Sequence, residues 1–182
     1  ALNLSAENTD THIRLAQAYQ SMGHHKKALT LFDAASPLIR ESGEHRHNAL
    51  FFSTFGDIHL SLGNMKEAFS CLKDAEKAAR SSEDPHILAS VLNNLGNLFA
   101  ADGDYQSAVL IYDECLEAIR KAQTTGHSGA SPHSGADLSF LKAKVLNNLL
   151  FVISEIGRSE DIRTALDDAL NFISTLPDTH TK

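Results

Sequence analysis

LNNLGNLFAADGDYQSAVLIYDEC, residues 92–115, is the stretch that decides the fold of this chain. Its apolar residues recur at helical spacing on both sides of Gly103, which predicts two helices joined by a tight turn. Three other parts of the chain repeat its offsets, 40 residues apart for the first three copies and 54 for the last. The copies are Tyr19-Gly23-Ala28, His59-Gly63-Ala68, Phe99-Gly103-Ala108 and Ile153-Gly157-Ile162. A period of this length is typical of solenoids.

The apolar pattern extends outward from this stretch into four antiparallel hairpins, each with a first helix A and a second helix B. We predict A helices at about 9–22, 46–62, 86–102 and 138–156, and B helices at 25–41, 65–81, 105–122 and 159–175. Each A helix ends before a glycine that can adopt the left-handed conformation. Asp84-Pro85 is a helix-start signal. Pro37 falls inside the first B helix, so we expect that helix to kink or break there.

A polar segment at 121–137 lengthens the spacing before the last copy. It contains HSGASP followed by HSGA, and has almost no apolar residue to bury. We therefore expect a flexible surface loop. Two histidines without acidic or cysteine neighbours at ligand spacing do not predict a metal site, so no metal and no cofactor are predicted.

Composition limits the function classes. The 182 residues are 42% hydrophobic and carry a net charge of −7, with acidic and basic residues interleaved, which argues against a nucleic-acid or membrane surface. No run is long enough to span a bilayer. We expect Cys71 and Cys115 to be buried, reduced thiols. The compartment is left open, with the cytoplasm preferred. No catalytic motif is present, so we do not expect an enzyme.

The repeated residues resemble the tetratricopeptide repeat, whose pattern combines apolar residues, Gly or Ala, an aromatic, the turn Gly and a final Ala. The third copy fits best, and the fourth departs from the pattern because Leu150 stands where a small residue belongs. The first copy reads Leu15-Ala16, Tyr19, Gly23, Ala28, Phe32, Ala35; the second reads Phe55-Gly56, His59, Gly63, Ala68, Leu72, Ala75; the third reads Leu95-Gly96, Phe99, Gly103, Ala108, Tyr112, Cys115.

This resemblance implies an all-α fold, a right-handed α-solenoid of four antiparallel hairpins with the A helices along its concave side. Residues 1–182 would form one array, with repeats at about 9–42, 49–82, 89–122 and 143–176. The long repeat also resembles those of kinesin light chains, of spindle-orientation adaptors and of bacterial arrays that precede a CHAT peptidase domain, the bacterial resemblance being preferred. Ala16, Gly56 and Gly96 would let helix B approach helix A.

The A-helix face opposite the core is the predicted binding surface for a protein or extended peptide. The motif LNNL occurs at 92–95 and 146–149, although asparagine is a mediocre helix former. Asparagine side chains in a groove can pair with the backbone of a bound peptide, and the alternative is that they bond to neighbouring helices or solvent. Gln20 and Ser53 lie on the same face. The predicted partner-binding residues are Arg14, Gln17, Asp57, Asn93, Asn94, Asn97, Lys144, Asn147 and Asn148.

An apolar stripe at the C-terminal end has no following helix to cover it. It consists of Ile162, Leu166, Leu170 and Ile173 on the last B helix. Either the chain is a fragment of a longer protein, or this stripe forms a twofold homodimer. The alternative function is therefore a self-assembling or regulatory array that controls an attached domain, for example a CHAT-type peptidase.

Overall fold

The computed structural model describes residues 6–41, 43–125, 134–157, 166–167 and 171–172. These ranges are helical apart from short turns and contain no strand. The A helices are α1 (Ala6–Ser21), α3 (His45–Ser61), α5 (Pro85–Asp102) and α7 (Ser134–Ile156), and the B helices are α2 (His25–Glu41), α4 (Met65–Ser81) and α6 (Tyr105–Thr125). None of the described helices is long and apolar enough to cross a membrane.

The helix boundaries agree closely with those predicted from the sequence, except around the polar segment 121–137. Helix α6 continues to Thr125 and α7 already begins at Ser134, so helix occupies both ends of the predicted loop. Residues 126–133 lie outside the described residues. Most of the predicted last B helix also lies outside them, but residues 166–167 and 171–172 are helical.

The turn glycines adopt the conformation that the sequence predicted. Gly103 has φ of 81° and ends α5, and Gly23, Gly63 and Gly157 are also left-handed. At the start of α5, Asp84 Oδ1 accepts hydrogen bonds from the backbone N–H groups of His86 at 3.0 Å and Ile87 at 3.4 Å. This cap supplies acceptors for two N–H groups that have no partner within the helix.

Of the kink or break predicted at Pro37, the break is wrong, because α2 continues through this residue to Glu41; the kink stays a prediction. Pro37 is exposed, whereas Ala35 and Ile39 on either side of it are 2% and 0% exposed. Burial of this apolar face against α3 compensates for the backbone hydrogen bond that proline removes.

Close packing within each hairpin depends on small residues of the A helices. A Cβ on Gly56 would lie 2.6 Å from Cγ of Leu72, and one on Gly96 would lie 2.7 Å from Cδ1 of Tyr112. Neither distance is compatible with ordinary van der Waals contact, so glycine is required for this approach of the two helices. The predicted role of Gly56 and Gly96 is therefore confirmed.

Both cysteines are free and buried, as predicted. Burial raises the pKa of Cys71 to about 11 and that of Cys115 to about 12, so both thiols are protonated at neutral pH. The Cys115 thiol also donates to the carbonyl of Ala89, at 3.1 Å, and thereby links α6 to α5.

The A helices lie closer together than the B helices. Successive A helices are in direct contact along the array, whereas within the described residues the backbones of successive B helices do not approach each other to that extent. The B helices are linked instead by long side chains, through the ion pairs Arg40–Asp74 at 2.6 Å and Arg80–Glu114 at 2.8 Å. This difference in spacing curves the solenoid toward the A helices. We call their surface on the side away from the B helices the inner face.

Candidate interaction face of the A helices

A side-chain hydrogen bond at or beside the inner face joins each neighbouring pair of A helices. Within each bond, the donor and the acceptor occupy places in the repeat that are less than one helical turn apart. From the first pair to the last, Gln20 Nε2 donates to Asp57 Oδ2 at 2.6 Å, Asn94 Nδ2 to Ser53 Oγ at 3.1 Å, and Asn148 Nδ2 to Asn97 Oδ1 at 2.8 Å. These bonds form a polar row across all four A helices.

The second asparagine of the LNNL motif has the same structural role in both copies. Asn94 on α5 donates backward to α3, and Asn148 on α7 donates backward to α5. Half-buried side chains with these partners hold successive repeats in register. Of the two roles that the sequence left open for asparagine, Asn94 and Asn148 therefore have the second: each bonds to a neighbouring helix.

The first asparagine of the motif has different surroundings in its two copies. Asn93, predicted to face the groove, is only 3% exposed, and its Nδ2 donates to Oδ1 of Asn94 at 3.1 Å. Its own Oδ1 is buried without a hydrogen-bond partner in the structure. Asn147, at the same place on α7, is exposed. The prediction that Asn93 offers its amide on an open surface is therefore wrong, because α7 follows α5 and closes over this position.

A buried tyrosine of a B helix forms a hydrogen bond with the row. The Tyr112 hydroxyl on α6 donates to Oδ1 of Asn97 at 2.8 Å, so this oxygen accepts from both Tyr112 and Asn148. Burial raises the pKa of Tyr112 to about 12, which keeps the hydroxyl protonated as a donor. Among the described residues, no group bonds to Nδ2 of Asn97 or to Oδ1 of Asn148. Each amide thus retains one hydrogen-bonding group.

The remaining predicted partner-binding residues lie on α1, α3 and α7. Arg14 and Gln17 are exposed on α1, and Asp57 is half-buried by its bond to Gln20. Lys144 is exposed on α7, with Nζ 5.8 Å from the centre of the Phe140 ring. The face therefore combines amides in the middle with cations at both ends.

Sequence reasoning placed Gln20, Ser53 and Tyr112 correctly but did not recognise their part in the row. In the sequence Tyr112 stands out only as part of the repeat pattern; in the structure it is a core residue at 1% exposed, and its hydroxyl donates to Asn97 of the row. The signal that could have identified it is the presence of a phenol one repeat after Leu72, at a place where apolar packing alone would be served by leucine.

Little of the predicted self-association stripe can be placed. Leu166 is 46% exposed, whereas Ile162, Leu170 and Ile173 lie outside the described residues. The neighbouring Phe172 is 8% exposed, and the ammonium group of Lys142 lies 4.6 Å from the centre of its ring. Within the described ranges, no group of three histidine, cysteine, aspartate or glutamate side chains is arranged to hold a metal ion.

Comparison with known families identifies the repeat. A family model described as the tetratricopeptide repeat matches residues 7–81 and again residues 49–121. The chain belongs to the tetratricopeptide repeat family. Tetratricopeptide repeats mediate protein–protein interaction, and the family is typically non-catalytic. The predicted resemblance and the all-α solenoid are thereby confirmed.

Solved structures show the same architecture. The fold is similar to that of BtubC (BKLC) from P. vanneervenii, with a TM-score of 0.75 and 21% identity over 100% of this chain and 70% of that one. It is also similar to a putative kinesin light chain with nearly identical TPR-like repeats from Podosopora anserina, with a TM-score of 0.54 and 13% identity over 91% of this chain and 94% of that one. A comparison with curated proteins gave no match. The CHAT-associated alternative stays a prediction.

Proposed function

We propose that this tetratricopeptide array is a protein-interaction scaffold that binds an extended segment of a partner along its inner face. The observation that carries the proposal is the row of side-chain bonds across the four A helices. These bonds fix the direction of amide groups that keep one hydrogen-bonding group each, namely Nδ2 of Asn97 and Oδ1 of Asn148. A fixed donor and a fixed acceptor pair with a peptide backbone at a smaller entropic cost than mobile side chains.

The charges on the face favour a partner segment without a strong net charge. Arg14 and Lys144 are separated along the row, and Asp57 lies between them. Such an arrangement offers no cluster of cations for a terminal carboxylate, so we expect an internal segment of the partner to bind. Affinity would come from backbone hydrogen bonds and specificity from the side chains beside Lys144 and Gln17.

The test uses a photo-crosslinking residue placed at Gln17 on the inner face or at Lys77 on the outer side of α4, both of which are exposed. In the source organism, we expect the probe at position 17 to capture a defined partner segment that mass spectrometry maps to one sequence, and the probe at position 77 to capture none. A synthetic peptide of that sequence is then titrated by calorimetry.

In the titration, Gln17→Ala and Asn148→Ala should each weaken binding about three- to tenfold, as expected for the loss of one hydrogen bond. Gln106→Ala, a matched change at an exposed site on α6, should leave the affinity unchanged. Equal capture from positions 17 and 77, or equal affinity of all three variants, would contradict binding along the inner face.

A further inference from the structure

A cavity of about 350 Å³ lies between α4 and α5, at the edge of the array where the hairpin turns are. Helix α4 begins directly after one turn, at Met65, and α5 ends directly before the next, at Asp102. The cavity is distinct from the inner face, because a B helix forms half of its wall. Its lining residues are Met65, Lys66 and Phe69 from α4 and Leu98, Phe99 and Asp102 from α5.

Two phenylalanines give the cavity an aromatic wall. Phe69 is 44% exposed, and its ring lies almost at right angles to that of Phe99, with 6.3 Å between the centres. Leu98 is 3% exposed and belongs to a buried cluster against which Phe99 and Met65 pack. Aromatic rings prefer such edge-to-face contacts, and the flexible thioether of methionine adapts to the shape of a neighbouring ring. The wall therefore suits one further aromatic side chain.

This junction between repeats is more open than the junctions before and after it. The counterparts of Phe99 are His59 and Ile153, which are 8% and 6% exposed, whereas Phe99 is half-buried. Phe69 is exposed, and its counterparts on α2 and α6 are half-buried aliphatic residues. Packing of one repeat on the next therefore does not require two accessible phenylalanines. An aromatic pair that lines an open cavity is typical of a binding site.

The rim of the cavity carries one charge of each sign. Lys66 on α4 and Asp102 on α5 are both exposed, and among the described residues neither has an ion-pair or hydrogen-bond partner. The residues at the place of Asp102 in the second and fourth copies are Leu62 and Ile156, so this combination of charges is specific to the junction of α4 and α5. A complementary ligand has an acidic group toward α4 and a basic group toward α5.

We propose that this cavity binds an aromatic side chain of a partner protein, in a segment where that residue stands between an acidic and a basic residue. The ring packs on Phe69 and Phe99, the acidic residue pairs with Lys66, and the basic residue pairs with Asp102. Flanks of equal charge are disfavoured, because one of them meets a like charge on the rim. This is a second site, and it does not depend on binding along the inner face.

The test uses the two methionines of the chain as NMR probes. Met65 lines the cavity, and Met22, which is 58% exposed, lies outside it and is the internal control. With ¹³C-labelled methyl groups, the capped tripeptide acetyl-Glu-Phe-Lys-amide should shift the Met65 signal to saturation, with a Kd of about 1 mM, and leave the Met22 signal in place. Acetyl-Glu-Ala-Lys-amide should bind at least about tenfold more weakly, because it has no ring to bury.

Variants of the protein test the wall and the rim. Phe69→Ala should weaken binding of the phenylalanine peptide about fivefold or more. Leu110→Ala, a comparable truncation at a leucine that is 70% exposed on α6, should leave the affinity unchanged. The wild type should bind acetyl-Lys-Phe-Lys-amide about threefold more weakly than acetyl-Glu-Phe-Lys-amide, and Lys66→Glu should reverse this order. Circular dichroism checks the folding of each variant, and Phe69→Leu replaces Phe69→Ala if the latter is unfolded.

The proposal is overturned if the Met65 signal does not move at peptide concentrations up to about 10 mM. Equal shifts of both methionine signals, or equal affinity for the alanine peptide, would overturn it as well. An unchanged order of the two charged peptides in Lys66→Glu would remove the role of the rim. Asn148→Ala on the inner face should leave the Met65 shift as in the wild type, so this test and that of the inner face can fail separately.

Discussion

At the scale of single residues, the same place in the repeat holds different chemistry with different consequences. His59 on α3 occupies the place of Phe99 on α5, and it is 8% exposed, with its ring 6.1 Å from that of Phe32. Burial lowers the pKa of His59 from 6.5, although Glu67 and Asp33 act in the opposite direction. The native structure therefore favours the neutral imidazole.

This shift predicts an acid-sensitive contribution to stability. Below pH 6.5 the unfolded chain binds a proton at this position more readily than the native chain, so the free energy of unfolding falls as the pH decreases. The variant His59→Phe, which copies Phe99, should lose less stability than the wild type between pH 7.5 and about 5.5, as measured by urea unfolding. A variant of the exposed His45, His45→Gln, should behave like the wild type. Equal losses in all three proteins would contradict a role for His59.

At the scale of the helix, the burial of apolar side chains outweighs the low helix propensity of proline in α2. Pro37 lacks an N–H group, yet α2 is continuous, since the residues on its core side pack against α3. The native structure therefore includes the free-energy cost of a proline inside a helix.

Removing this cost should stabilise the protein. We expect Pro37→Ala to raise the free energy of unfolding by about 1–3 kcal/mol, because it restores a helical hydrogen bond and a favourable helix propensity at an exposed site. Lys77→Ala is the matched control, at the same place on α4, and should change stability by less than about 0.5 kcal/mol. Urea unfolding measures both. A Pro37→Ala protein no more stable than the wild type would show that α2 bears no such cost.

At the scale of the whole molecule, stability depends on contacts between neighbouring repeats. Helices α3 and α5 are covered on both sides, whereas α1 leaves Leu15 exposed and α7 leaves Phe140 and Phe151 exposed. In a linear array each repeat is stabilised only by its neighbours, so the ends open more easily than the middle.

Hydrogen exchange measured by mass spectrometry should show this gradient. We expect the amides of α3–α5 to exchange slowest and those of α1 fastest, with exchange rates that differ by at least about tenfold. The middle helices must lose two interfaces to open, whereas α1 must lose only one. Asn148→Ala, which removes the bond from α7 to α5, should speed exchange in α7 more than in α1. Uniform protection of all helices would indicate a single cooperative unit instead.

The sequence alone determined the repeat, the helix boundaries near the turns and the family, because helical periodicity and the left-handed turn glycines are local properties of the chain. It also marked Gly56 and Gly96 as points of close approach. Only the tertiary structure decided which asparagines are exposed. Asn93 and Asn147 occupy the same place in the repeat, but α7 buries the first and no described helix covers the second. Exposure depends on which helix lies opposite, and that is a property of the assembled array.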